Sequence, residues 1–389
     1  MSAGTLDAML ERVEAIADVV RDGALEGEQL GHLAPQVVEA LHDAGLFRVI
    51  VPEELGGFGL TSPEAIEVFE RVGALDGSTG WTLAILASGA LFARRLAGEA
   101  RVAILGDPRG LVAGGLNPMT ARADVTDGGF VFSGRATYLS GSAHARWIMV
   151  AAIVYRDGEA EVNDVGLHIR VGVMPIEQAR NLETWNVAGM RGTGSNDYEF
   201  EGVEIAEDWT FEPFRPQPPS GDVFSCIPLW ALLGTPLAAV AVGAARNMIE
   251  QFTELAAFKV PAGGNFSPLA ERPPAQMAIG EAQGLYQAAR AVLMETVRAN
   301  WARGEAREPF PNDVLARQRV GGVTAVRLAA QAVDLLHDAA GMNAVAADSV
   351  LDRCWRDVHT MTQHVILTPA RYEIAGRVLL GLEPGAPVI

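Results

Sequence analysis

The hydrophobic period of this chain changes twice, and the order of those changes limits the fold more than any other feature. Near the start, Leu6, Met9, Leu10, Val13, Ala17 and Val20 repeat at helical spacing, placing one apolar face on a helix. A second helix through Val37, Val38 and Leu41 stops at Gly45, a residue suited to the left-handed position after a helix. Ser62 before Pro63 reads as an N-cap, and a third helix begins near Ser78. From about residue 111 the pattern becomes short or alternating apolar runs, GFVFSGRATYL, WIMVAAIVY, GLHIRVGVM and NDYEFEGVEI, divided by Gly and Asp/Asn turns. Beyond the proline-rich stretch 213–222, long helical segments return at 229–258, 272–303, 312–340 and 346–380. The expected fold is mainly α with a central β domain: a helical domain over 1–110, an antiparallel β-barrel over 111–222 and a four-helix bundle over 223–389.

Composition then excludes function classes. Lys and Arg number 30 against 48 Asp and Glu, a net charge of −18, whereas nucleic acids and anionic lipid surfaces call for a basic excess. Neither is an expected partner. Lys259 is the only lysine, so chemistries that need one have a single candidate, which lies in no such motif. Two cysteines build no four-cysteine zinc site and no disulfide scaffold, and no metal site is expected. The acidic N-terminus does not resemble a signal peptide, and a reducing cytoplasm is the expected location. Val223 to Ala245 carries no charge, yet Pro228 and Pro236 interrupt it and small residues fill much of it. It reads as a buried core helix and not a membrane span.

Nucleotide and hydrolase motifs are missing: no GxGxxG follows a strand, and no GxxxxGK[ST], HExxH, CxxC or GxSxG occurs. GTGSND (192–197) lies between strands and reads as a turn.

Five strings occur in order: VPEELGGFGL, DGSTGW, YLSGSAHARW, WNVAGMRGTGSND and RCWRDVHTMTQHV. With them the whole chain resembles the acyl-CoA dehydrogenase superfamily, and more closely its two-component flavin-dependent monooxygenases. The resemblance implies an oxygenase component that uses reduced flavin (FMNH2 or FADH2) and O2, through a flavin C4a-hydroperoxide, to oxidise a small organic substrate. It also implies a separate NAD(P)H:flavin reductase and a homotetramer built on the C-terminal helices. In several dehydrogenases a glutamate follows the RD pair as the base for α-proton abstraction; the matching position here is Val365, which takes no proton. A dehydrogenase with a relocated base and a catalytically silent scaffold remain the alternatives.

The site residues follow from the same resemblance. His364 stands where the monooxygenases place an active-site histidine, fit to act as base or proton donor near neutrality. Ser140 matches the hydroxyl that meets the flavin N5 region, with Gly141 beside it allowing close approach. Ser142 shares that loop, where relatives often carry Cys-Asp and this chain has Ser142–Ala143. Leu116 and Asn117, in GGLNP, are expected at the flavin edge. Arg246, Arg353 and Arg356 are candidates for flavin phosphate, which arginine or backbone must hold in a chain so poor in lysine. Trp81, His144 and Trp185 are the expected pocket residues, with Trp355 a further aromatic.

Overall fold

The computed structural model describes residues 3–164, 166–215, 222–262 and 266–385. Six helices come first: α1 (Ala3–Ala15), α2 (Ala17–Leu30), α3 (Pro35–Asp43), α4 (Ser62–Gly73), α5 (Gly77–Ala93) and α6 (Gly98–Leu105). Gly45 has φ 73°, and its N–H donates to the carbonyl of His42 at 2.8 Å, closing α3 as its sequence suggests. The cap of α4 is one residue earlier than expected. Thr61, not Ser62, accepts from the Glu64 N–H, and the Glu64 carboxylate accepts from the Thr61 N–H at 2.8 Å. That reciprocal pair satisfies two N–H groups at once, and Ser62 alone offers one.

Helix α5 is apolar on every side and almost wholly buried, as a helix without a polar face must be. Its start is pinned by Asp76, whose Oδ2 accepts from the N–H and the hydroxyl of Thr79, both at 2.8 Å.

The middle of the chain forms a nine-stranded sheet. Its path runs Thr210–Phe211, Ile169–Pro175, Trp147–Arg156, Ala121–Thr126, Gly129–Leu139, Asn196–Ala206 and Arg180–Asn181. The sheet is mixed and not wholly antiparallel as expected. Val112–Gly115 and Ala121–Thr126 both pair with Trp147–Arg156 in parallel. Alternation reports which face of a strand is buried, not which way its neighbour runs. In the antiparallel ladder of the two longest strands, Asn196 faces Leu139. The two chain segments just beyond that pair, at Ser140 and Ser195, therefore leave the sheet together.

The last part holds α7 (Val223–Cys226), α8 (Leu229–Phe258), α9 (Pro273–Glu305), α10 (Asn312–Ala340), α11 (Val350–Met361) and α12 (Ala370–Leu379). Residues 216–221 of the proline-rich connection and 263–265 of the PAGG break lie outside the described residues. The helix expected over 346–380 is instead two, broken at residues 362–369. Pro369 supplies no N–H to a helix running through the break, and α12 starts just beyond it. Helix α8 is long and apolar enough to cross a membrane, but 78% of its apolar window is buried inside the protein. Pro236 sits within it, and the Leu232 carbonyl that loses its usual donor receives the Thr235 hydroxyl at 3.5 Å.

Glycines bring α4, α5 and α8 into backbone contact. A Cβ at Gly243 would stand 2.1 Å from the carbonyl oxygen of Glu70, and one at Gly80 would stand 2.7 Å from the Cα of Gly73. A Cβ at Gly73 would in turn meet the Val240 carbonyl oxygen at 2.8 Å. The helix that carries Trp81 thus packs at a distance only glycine permits.

Candidate active site

Ser140 follows the strand Gly129–Leu139 and is buried. Its Oγ accepts a hydrogen bond from Trp81 Nε1 at 3.2 Å and lies 2.7 Å from Ser195 Oγ. Ser195 Oγ is also 2.7 Å from Thr193 Oγ1, which donates to the Met190 carbonyl at 2.8 Å. The segments carrying Ser140 and Thr193 are joined again where the Gly141 N–H donates to the Thr193 carbonyl at 2.8 Å. Ser142 Oγ donates to the Gly194 carbonyl at 3.3 Å. Gly141 has φ 74°, and a Cβ there would stand 2.9 Å from the Leu86 side chain of α5. That closeness seats the loop on α5 beside Trp81.

The imidazole of His364 meets the other side of Trp81, edge to face, with ring centroids 5.4 Å apart. It comes from the break between α11 and α12, not from a helix. Burial first, then the charge of Arg371, holds its pKa down at about 4, so the ring is neutral at neutral pH. Its Nδ1 accepts from the Ile366 N–H at 3.4 Å, which leaves the proton of the neutral ring on Nε2. Val365, beside it, is 61% exposed.

Of the other expected residues, His144 is close by in the same loop. Burial, followed by the charges of His32 and His42, holds it at about 4, and its ring lies 5.6 Å from that of His32. Asn117 Oδ1 accepts from the Met119 N–H at 3.2 Å, and Leu116 packs against the core. A Cβ at Gly115 would meet Leu139 Cδ1 at 3.2 Å, so this loop runs along the strand that leads into Ser140. Trp185 Nε1 donates to the Met190 carbonyl at 2.9 Å.

The arginines are engaged elsewhere. Arg356 pairs with Glu28 and with Asp352 at 2.6 Å, and donates to the Ala188 carbonyl at 2.6 Å. Arg246 pairs with Glu250 at 2.7 Å, one helical turn on. Arg353 faces Asp76 at 3.4 Å. Trp355 donates to Asp334 at 2.8 Å on α10.

Three participants escaped the sequence reading: Thr193, Ser195 and Asp357. GTGSND drew attention for its glycines, while the two hydroxyls spaced around Gly194 were the usable signal. Asp357 is buried; its Oδ1 accepts from the Met190 N–H at 2.5 Å, and Oδ2 has no hydrogen-bond partner among the described residues. Burial first, then the charge of Asp76, pushes its carboxyl up to about 7.

Unpartnered buried polar atoms near Ser140 are of the kind a polar ring would satisfy. Thr82 Oγ1 and His144 Nε2 are buried polar atoms with no hydrogen-bond partner among the described residues, a cost of about 1–3 kcal/mol each that a bound polar ring offsets. A Cβ at Gly141 would also meet the Thr82 side chain at 3.1 Å, so Thr82 lies against the same loop.

Residues 6–98 match the family described as "Acyl-CoA dehydrogenase, N-terminal domain", and residues 236–369 match "Acyl-CoA dehydrogenase, C-terminal domain". The chain is 32% identical to an indole-3-acetate monooxygenase of Pseudomonas putida, covering 95% of this chain and 94% of that one. It is 28% identical to the oxygenase component of an FADH2-dependent resorcinol hydroxylase of a Rhizobium species, covering 97% and 95%. The crystal structure of the HsaA monooxygenase from Mycobacterium tuberculosis superposes with a TM-score of 0.90 at 25% identity, covering 99% of this chain and 100% of that one. The chain belongs to the acyl-CoA dehydrogenase superfamily. Within it, the protein is a flavin-dependent monooxygenase, an oxidoreductase of the oxygenase-component kind.

Proposed function

We propose that the Trp81–Ser140–His364 group is where this oxygenase component holds reduced flavin and its small-molecule substrate. The observation that carries the reading is Trp81 itself, which hydrogen-bonds Ser140 through its N–H and packs His364 against its ring. Reduced flavin supplies two electrons and activates O2, one oxygen atom entering the substrate and the other leaving as water. Ser140 would sit at the flavin N5, with the Leu116–Asn117 loop and Ser142 along the ring edge. Trp81 and His144 would enclose the substrate side, while Trp185 acts from behind through the Met190 carbonyl. His364, neutral with its proton on Nε2 and its Nδ1 engaged by the Ile366 N–H, would donate a hydrogen bond to a substrate oxygen and orient it for oxygen transfer. Arg246 and Arg356 are poorer candidates for flavin phosphate than the sequence suggests, because carboxylates already neutralise them.

The relatives named for indole-3-acetate and resorcinol favour an electron-rich aromatic substrate, and the second favours FADH2 over FMNH2. A separate NAD(P)H:flavin reductase would deliver the reduced flavin. A homotetramer is supported by apolar side chains left exposed on the C-terminal helices and their connections, among them Phe258, Met277, Met342 and Leu380. The free thiols of Cys226 and Cys354 suit a reducing cytoplasm.

The test supplies free FADH2 or FMNH2, O2 and a panel of phenols and indoles, and follows product and hydrogen peroxide together. Ser140→Ala should shift the outcome from product to peroxide, and His364→Ala should slow product formation. Unchanged product and peroxide in both variants would remove the assignment. Sedimentation of the full chain checks the tetramer.

A further inference from the structure

We infer that Thr193 and Ser195 are positioning residues that fix the direction of the Ser140 hydroxyl, making it a hydrogen-bond acceptor towards bound flavin and so favouring the reduced over the oxidised cofactor. The inference rests on the proposed seat of flavin at Ser140.

The argument is a count of protons. The Met190 carbonyl can only accept, and it receives the hydroxyl of Thr193 at 2.8 Å, the Nε1–H of Trp185 at 2.9 Å and the N–H of Thr193 at 3.2 Å. Thr193 has one hydroxyl proton, and that bond uses it. The 2.7 Å contact between Thr193 and Ser195 must therefore be donated by Ser195. The single proton of Ser195 is then committed as well, so the 2.7 Å contact between Ser195 and Ser140 is donated by Ser140. Trp81 Nε1 has only a proton to give and occupies one lone pair of Ser140. What remains on Ser140 is one lone pair and no proton.

Reduced flavin carries N5–H, a donor that this lone pair can accept. Oxidised flavin presents a bare N5 acceptor, which faces a lone pair and gains nothing. Trp185 contributes by crowding the Met190 carbonyl, and Asp357 by gripping the N–H of the same residue at 2.5 Å. The chain Ser140→Ser195→Thr193→Met190 thus runs one way only, in a buried setting where reversing it would strand a polar atom.

The experiment measures anaerobic equilibrium binding of FADH2, and separately of FAD, to the full chain and its variants. Ser195→Ala releases the Ser140 proton, and Thr193→Val removes the acceptor that orients Ser195. Each should lower the ratio of reduced to oxidised affinity about fivefold, the worth of one ordinary hydrogen bond. Thr193→Ser should restore the native ratio. Ser140→Ala should weaken FADH2 binding. If the ratio stays at its native value in both Ser195→Ala and Thr193→Val while Ser140→Ala weakens FADH2, the relay is overturned and the flavin seat stands. An equal loss of both affinities also overturns it, since a merely structural role predicts that result. If Ser140→Ala leaves FADH2 binding unchanged, the seat itself is wrong. The two relay variants are independent, so the test survives if one fails to fold.

Discussion

Asp357 accepts the Met190 N–H at 2.5 Å although the two residues are 167 positions apart in the chain. One carboxylate thereby ties helix α11 to the loop that closes the hydroxyl chain behind Ser140. Its neighbour Asp76 caps α5, the helix bearing Trp81. The acidic pair thus holds together the elements that build the site.

That arrangement predicts an unusual pH response. The Asp357 carboxyl moves from its ordinary 3.8 to about 7 on folding. The folded protein therefore keeps a proton that the unfolded chain releases, so this group's stabilisation is complete below pH 4 and is lost as pH rises through 7. Asp357→Asn keeps an acceptor for Met190 without the charge. It should be more stable than the native chain at pH 8, by roughly 1–3 kcal/mol, with the difference closing only as pH falls towards 4. Urea unfolding at both pH values decides; destabilisation at pH 8 would sink the idea.

His144 and His364 act in the opposite sense. Both fall from 6.5 to about 4 on folding. Their contribution is present above pH 6.5 and is lost as pH falls from there to 4, because the unfolded chain takes protons that the folded one refuses. His364→Gln should flatten the loss of stability between pH 7 and 4.5. A slope as steep as the native one would show that the imidazole is not held neutral.

Trp81→Phe keeps an aromatic ring near His364 but removes the N–H together with the fused ring that carries it. Ser140 Oγ then loses a hydrogen bond worth about 1 kcal/mol. The expected outcome is a protein that folds normally and releases a larger share of O2 as hydrogen peroxide. Product and peroxide measured together with reduced flavin in excess give the answer.

Gly189→Ala tests how tightly the Met190 loop is pressed on α11. A Cβ at Gly189 would stand 2.2 Å from the Arg356 carbonyl oxygen and 2.6 Å from Thr360 Oγ1. Backbone cannot yield as a side chain does, so the substitution should cost about 1–3 kcal/mol. A melting temperature equal to that of the native chain would contradict the contact.

The helical, then strand, then helical order could be read from the period of apolar residues, because burial dictates that period directly. Strand direction could not, since Val112–Gly115 looks the same whichever way Trp147–Arg156 runs beside it. The break that carries His364 was signalled by Pro369 yet hidden by apolar spacing that continued on both sides. Resemblance to a family singles out Ser140 and His364, and its indole singles out Trp81. Ser195 and Asp357 were missed because their roles depend on partners 55 and 167 positions away, at Ser140 and Met190. A hydroxyl or carboxylate carries no local mark of such a partner.

The glycine seam between α4, α5 and α8 has an evolutionary consequence. Where Gly73, Gly80 and Gly243 set the helix spacing by main-chain contact, the height of Trp81 above Ser140 does not depend on which side chains line the remaining walls. Those walls are then free to vary while Trp81 and Ser140 keep their spacing.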